Sequence, residues 1–177
     1  MTLMLILCHP QVRSLNYSVA KQVLEVAEEL EHTIYFHDLY REAFNPVLSD
    51  EEIRRGFSFD EQVQKYTVEL ESAEGLILIH PDWWGQPPGL LKGWVDRVFR
   101  PGVAYTFEGQ EFMKKQQVPL LRGKRALIFA STDSEDKGSP HLLENLWQKG
   151  VFTYCAENPL FTEPLAEKRP YPLMGLF

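Results

Sequence analysis

The stretch GLILIHPDWWGQPPGLLKGWVDRVF, residues 75–99, joins a short apolar run to an amphipathic segment through a loop rich in tryptophan and proline. The run from Gly75 to Ile79 has the length and apolarity of a buried strand. Residues Leu90 to Phe99 carry apolar side chains at helical spacing, which predicts a helix. The stretch is therefore predicted to be one strand–loop–helix unit of an α/β fold.

The same alternation of strand and helix extends over most of the chain. Further strands are predicted at Leu3 to Leu7, Thr33 to Leu39 and Arg125 to Ser131, with a weaker fifth candidate near Asn158 to Thr162. Helical patterns lie between them, at Leu15 to Leu30, at Asp60 to Glu71 and over a shorter segment, Leu142 to Trp147. Continuous apolar strands that alternate with helices indicate a parallel sheet covered on both faces.

The composition fits one domain and argues against several functional classes. The chain has 177 residues, of which 44% are hydrophobic, enough for one packed core. A formal net charge of −7 argues against general affinity for nucleic acid or for an anionic membrane surface. Cys8 and Cys155 have no metal or redox spacing, and the first residues are not expected to form a signal peptide. We therefore expect a cytoplasmic protein with two buried thiols.

Three of the predicted strands end in loops that carry polar or aromatic residues. These loops are CHPQVRSLN (8–16), HPDWWGQPP (80–88) and ASTDSEDKGSP (130–140). Ligands of parallel α/β sheets bind beyond the carboxyl ends of the strands. We therefore expect the three loops to gather at one edge of the sheet and to form a binding site there.

The first loop has two interpretations. Ser14 or Asn16 can cap the following helix, whose first backbone N–H groups suit a phosphate, and His9 and Arg13 add positive charge. The alternative is an ordinary capped turn without a ligand. The loop contains neither a P-loop nor a Gly-x-Gly-x-x-Gly motif, so those two kinds of nucleotide site are not expected.

The second and third loops can likewise either bind a ligand or have a purely structural role. Trp83 and Trp84 can stack on a flat ring whose edge meets backbone groups, or they can fill a core or a subunit contact. The segment STDS, residues 131–134, can line a polar ring edge or belong to a hydrophilic surface loop. His141 is the histidine placed best for acid–base chemistry, with a surface position as the alternative. No hydrolase motif or metal-ligand pattern is present, so neither a nucleophilic triad nor a metal site is expected.

Residues 80–107, HPDWWGQPPGLLKGWVDRVFRPGVAYTF, together with HPQVRSLN at 9–16, resemble the flavodoxin-like NAD(P)H:quinone oxidoreductases. That family includes ancillary subunits of potassium efflux systems. The resemblance covers residues 3 to about 155. It implies a single flavodoxin-like domain over residues 1–177, with a doubly wound five-stranded parallel sheet of order 2-1-3-4-5 and an irregular, proline-rich tail from about residue 160.

The resemblance also implies a cofactor, a reaction and a partner. Family members bind FMN or FAD, work as homodimers and pass two electrons from NAD(P)H to quinones or similar acceptors by a ping-pong mechanism. We expect FMN rather than FAD, because the chain is short and has no C-terminal extension to cover an adenine. The alternative is a regulatory subunit, for example of a potassium efflux transporter, with weak or no reductase activity; electron carriage between proteins is a third possibility.

The family pattern assigns individual residues to the flavin and to the acceptor. The phosphate and ribityl end would be held by His9, Arg13, Ser14, Leu15 and Asn16. The isoalloxazine would face Pro81, Asp82, Trp83, Trp84 and Gly85. The ring would also meet Ser131, Thr132, Asp133 and Ser134. Tyr105 and Phe107 would wall the substrate pocket of the partner subunit, and the candidate catalytic residues are Tyr105 and His141.

The sequence departs from the family pattern in four places. Asp133 and Ser134 replace two glycines that allow close backbone approach, and a carboxylate there would disfavour a negatively charged ring. Gly85 replaces an aromatic residue, which implies a more open pocket. The segment from Ser131 to Cys155 is shorter than in relatives, so only His141 can stand in for their substrate-side Tyr and His. No last helix is predicted after Pro159.

Overall fold

The computed structural model describes residues 1–109, 116–132 and 139–156. Its strands are β1 (Thr2–Leu7), β2 (Thr33–Asp38), β3 (Gly75–Pro81), β4 (Tyr105–Glu108), β5 (Gln116–Pro119) and β6 (Arg125–Ser131). Four of them form a parallel sheet in the order β2-β1-β3-β6. The other two, β4 and β5, pair with each other as an antiparallel hairpin.

Helices connect and cover the strands. They are α1 (Leu15–Glu29), α2 (Asp50–Arg55), α3 (Glu61–Ser72), α4 (Gly89–Val98), α5 (Ser139–Asn145) and α6 (Thr153–Cys155). A π-helical segment, Leu146–Phe152, continues α5 into α6. No helix within the described ranges combines the length and the apolarity needed to cross a membrane.

The two faces of the sheet are covered differently. Alternate residues of β1 and β3 point to opposite faces, as the period of a strand requires. Met4, Ile6 and Leu78 belong to the larger core, which α3, α4 and the π-helical segment complete. Leu5, Leu7 and Ile79 face α1, and this second core is smaller. In the described part of the chain, α1 is the helix that covers this second face.

Both cysteines are buried apolar thiols, as predicted. Cys8 is fully buried at the end of β1, and Cys155 is 3% exposed. Burial raises the pKa of Cys8 to about 12 and that of Cys155 to about 11. At neutral pH both side chains are therefore neutral thiols, and neither is activated as a nucleophile.

The structure agrees with the four stronger strand predictions to within two residues at each end. The fifth predicted strand, near residues 158–162, lies outside the described residues, so the five-stranded order stays a prediction. The helix predicted at Leu142 to Trp147 was too short, because the helical run extends from residue 139 to 155. The hairpin of β4 and β5 was not predicted, since each strand has only four residues and is partly exposed.

Candidate functional site

The carboxyl ends of three neighbouring strands meet at one edge of the sheet. In the register of the sheet, Leu7 is opposite Ile79, and Pro81 is opposite Ser131. Backbone hydrogen bonds extend this pairing into the loops: Cys8 N–H donates to the Ile79 carbonyl at 2.9 Å, and Asp82 N–H donates to the Ser131 carbonyl at 2.6 Å. The three loops therefore start side by side, as predicted.

Ser14 and Asn16 have separate tasks in the first loop. Ser14 has an extended backbone and is the N-cap of α1; its hydroxyl accepts a hydrogen bond from Tyr17 N–H at 3.3 Å. Asn16 lies inside the helix and is 3% exposed. Its Nδ2 donates to the Ser131 hydroxyl at 2.9 Å. Because β3 lies between β1 and β6, this bond passes over the end of β3 and joins the first loop to the third.

Other residues of the first loop provide hydrogen-bond donors near the start of α1. His9 is half-buried, and its Nδ1 lies 3.1 Å from both the N–H and the carbonyl of Gln11. When the N–H of Gln11 donates to Nδ1, the ring proton is on Nε2, which is then a donor. Arg13 and Leu15 are exposed. Together with the N-terminus of α1, these donors are of the kind that binds an anion.

The two tryptophans of the second loop lie in a tight turn. Trp83 and Gln86 exchange backbone hydrogen bonds of 2.9 and 3.2 Å across the pair Trp84-Gly85. Trp84 has φ 60° and Gly85 has φ 75°. Two positive φ values are typical of a type I′ turn, where Asn-Gly is the preferred pair. A tryptophan in this conformation costs about 1–3 kcal/mol.

The strained turn exposes the Trp84 side chain completely, whereas Trp83 is 44% exposed. Packing against the described residues therefore does not explain Trp84, and a ring ligand or a subunit contact would use its exposed face. The turn itself is well supported, since Asp82 Oδ1 accepts a hydrogen bond from Gly85 N–H at 2.7 Å. That Gly85 opens the pocket stays a prediction, although the Leu142 side chain of α5 comes close to Gly85. A Cβ atom at Gly85 would lie 2.7 Å from Leu142 Cδ1.

His80 supports the second loop from inside and was not among the predicted site residues. Its side chain is fully buried, with Nδ1 2.8 Å from the Pro81 carbonyl. The indole N–H of Trp147 donates to His80 Nε2 at 3.2 Å. A carbonyl only accepts, so Nδ1 carries the proton and Nε2 accepts. Burial lowers the pKa of His80 to about 4, which keeps the ring neutral at neutral pH. A polar residue at the end of a fully buried strand was the signal available in the sequence.

The third loop is only partly described. Ser131 and Thr132 are half-buried at the end of β6. Asp133 and Ser134 lie outside the described residues, and so does the side chain of His141, whose backbone belongs to α5. In the parts of the chain that are described, no group of three His, Cys, Asp or Glu side chains is placed to hold a metal ion.

Tyr105 and Phe107 form an aromatic pair on β4. Their ring centroids are 5.7 Å apart, edge to face, and Tyr105 also packs on Tyr154 of α6 at 4.8 Å. Phe107 is 48% exposed. Burial raises the pKa of Tyr105, with smaller contributions from Tyr154 and Cys155. The phenol therefore keeps its proton at neutral pH and can donate a hydrogen bond.

Comparison with known proteins assigns the chain to a family. Residues 1–161 match the family model described as the flavodoxin-like fold. An uncharacterized NAD(P)H oxidoreductase of Haemophilus influenzae is 32% identical over 164 residues, 86% of this chain and 77% of that protein. NAD(P)H dehydrogenase [quinone] 1 of Rattus norvegicus is 29% identical over 179 residues, 86% of this chain and 64% of the rat protein.

A solved structure adds to the likeness of fold. The FMN-dependent NADH-azoreductase of Bacillus anthracis, in complex with FMN, has a TM-score of 0.63 and 19% identity; the match covers 90% of this chain and 84% of the other. At that identity the likeness shows the fold alone. The family match and the two relatives go further: the chain belongs to the flavodoxin-like NAD(P)H:quinone oxidoreductase family and is an oxidoreductase.

Proposed function

We propose that the protein is a flavin-dependent NAD(P)H:quinone-type oxidoreductase that binds FMN at the carboxyl edge of the sheet. The observation that carries the proposal is Trp84. Its fully exposed ring is held in a strained turn after β3. The first loop, with its candidate anion-binding groups, follows the neighbouring strand β1. Strain that the fold does not need is typical of a functional site. A ligand with an aromatic ring at one end and a phosphate at the other matches both features.

The residues at this edge fit a flavin by their chemistry. The start of α1, with Ser14 as its cap and with His9 and Arg13 nearby, would hold the phosphate. Asn16 would lie along the ribityl chain, and Ser131, to which its Nδ2 donates, would meet the ring. The exposed rings of Trp83 and Trp84 would stack on or wall the isoalloxazine. The remaining assigned residues, Leu15, Pro81, Asp82, Gly85, Thr132, Asp133 and Ser134, would complete the contacts.

The cofactor would supply the redox chemistry, taking two electrons from NAD(P)H and passing them to a quinone-like acceptor. The chain itself would bind and orient the ring. His80 keeps a neutral ring and fixes the Pro81 carbonyl beside the stacking turn. Tyr105 keeps its phenolic proton, so it would donate a hydrogen bond to an acceptor oxygen rather than act as a base.

The proposed assembly is a homodimer. Tyr105 and the half-exposed Phe107 form an edge-to-face aromatic pair on a hairpin outside the main sheet. An aromatic surface of this kind suits the wall of a pocket in a second subunit, where nicotinamide and quinone would stack in turn. The name of the rat relative supports a quinone as acceptor. A transporter partner stays a prediction from the resemblance alone.

The absorption spectrum of the purified protein tests this function. We expect a yellow protein with a flavin spectrum that NADPH or NADH bleaches without oxygen and that an added quinone restores. Colourless protein that binds neither FMN nor FAD in a titration would reject the proposal and would favour a regulatory subunit. Flavin that binds but is not reduced by either nicotinamide would reject the reductase while leaving the binding site standing.

A further inference from the structure

Arg41 follows β2 and belongs to none of the three loops, yet its side chain reaches the first of them. Its Nη2 donates a hydrogen bond to the carbonyl of Pro10. The contact joins residues 31 positions apart. It forms because β2 lies beside β1 in the sheet, so the turn after β2 adjoins the loop after β1. A guanidinium therefore lies against the loop proposed to hold the flavin phosphate.

The backbone that carries Arg41 is held firmly. Asp38 Oδ1 accepts hydrogen bonds from the N–H groups of Tyr40 at 3.1 Å and Arg41 at 3.2 Å. The Asp38 carbonyl accepts from Glu42 N–H at 2.9 Å. Asp38 itself is 6% exposed. The turn is thus anchored to the end of β2, and the direction in which Arg41 leaves it is fixed.

Among the described residues, the Arg41 side chain keeps donors for an anion. A guanidinium presents five N–H donors in one plane. One of them is used on Pro10, and Nε lies 3.9 Å from Asp38 Oδ2. Half of the side-chain surface is exposed. By binding the Pro10 carbonyl, Arg41 also occupies an oxygen that would otherwise repel an anion at this loop.

We propose that Arg41 is a specificity-determining residue that makes the site prefer flavins with a terminal phosphate over riboflavin. The inference rests on the proposed function. Together with His9 and Arg13, Arg41 would be a third positively ionisable group at the first loop of a chain whose net charge is −7. Arginine matches a phosphate with two parallel hydrogen bonds, a geometry that lysine does not offer. Riboflavin has no phosphate and would gain nothing from Arg41.

The test compares the binding of FMN and riboflavin to the flavin-free full-length chain by fluorescence titration. For wild type we expect FMN to bind more tightly than riboflavin. Arg41→Ala should weaken FMN binding about tenfold, the effect of one charge-assisted hydrogen bond, and change riboflavin binding less than about twofold. Arg41→Lys should recover part of the FMN affinity. Added salt should weaken FMN binding more in wild type than in Arg41→Ala.

Arg54→Ala is the matched control, because Arg54 is exposed on α2 and pairs with Asp50 at 2.9 Å. It should leave both affinities unchanged. Equal weakening of FMN and riboflavin by Arg41→Ala would overturn the inference, since Arg41 would then only shape the loop. Unchanged FMN binding in Arg41→Ala would overturn it as well. Wild type that binds neither flavin would instead reject the proposed function itself.

Discussion

The two edges of the sheet differ in how their polar groups are used. At the amino edge, Lys124 donates to the carbonyls of Glu71 and Ala73, at the end of α3. Glu74 accepts from the Thr2 N–H at 2.7 Å. At the carboxyl edge, the donors of the first loop and the Trp84 ring face outward. The amino edge also contains a hollow of about 480 Å³. The site is proposed at the carboxyl edge because exposed groups, such as Trp84 and Arg13, lie there.

The largest effect is expected from removing the hydrogen bonds of His80 at the carboxyl edge. His80→Leu leaves the Trp147 N–H and the Pro81 carbonyl without a partner, at a cost of about 3 kcal/mol in the free energy of unfolding. Urea denaturation at pH 7.5 measures it. A loss below about 1 kcal/mol would mean that the hydrogen bonds of His80 contribute little and that an apolar side chain can replace it.

The same residue predicts how stability depends on pH. The pKa of His80 is lowered from 6.5 to about 4 by burial, so the unfolded chain binds the proton more readily. Stability from this group is present above pH 6.5 and is lost as pH falls towards 4. We expect a smaller drop in urea midpoint between pH 7 and 4.5 for His80→Leu than for wild type. Parallel curves for the two proteins would contradict the assignment.

Trp84→Ala should weaken flavin binding at the carboxyl edge without destabilising the fold. Loss of the stacking surface should weaken FMN binding by about 2 kcal/mol, or roughly 30-fold. The thermal midpoint of the flavin-free protein should not fall, because the side chain is fully exposed. Phe59→Ala, which removes a ring that is 64% exposed next to α2, is the control and should leave FMN binding unchanged. Normal flavin content in Trp84→Ala would place the ring elsewhere.

The smallest effect is expected at the amino edge. Lys124→Met removes the donor that satisfies the last carbonyls of α3 and should lower the free energy of unfolding by about 1 kcal/mol. The affinity for FMN should stay within about twofold of wild type, because this edge is opposite to the proposed site. A large loss of FMN affinity would show that the comparison of the two edges is wrong.

The parts of the molecule that could be predicted are those encoded by local pattern. Apolar runs predicted the four strands, and the expectation of a parallel sheet predicted that three of their loops start at one edge. The contacts of Arg41 with Pro10 and of His80 with Trp147 join residues 31 and 67 positions apart, and no local period encodes such pairs. The turn at Trp84-Gly85 also escaped prediction, because type I′ turns favour Asn-Gly. Such violations of local preference are expected where function overrides folding.

The exposure of Trp84 has a consequence for handling the protein. The fully exposed indole of Trp84 and the partly exposed indole of Trp83 form an exposed apolar surface. Such surfaces promote aggregation. Flavin stacked on that surface would shield it. Expression yield and shelf life should therefore depend on the riboflavin supply of the host, and protein stripped of its flavin should precipitate at lower concentrations than protein that retains it.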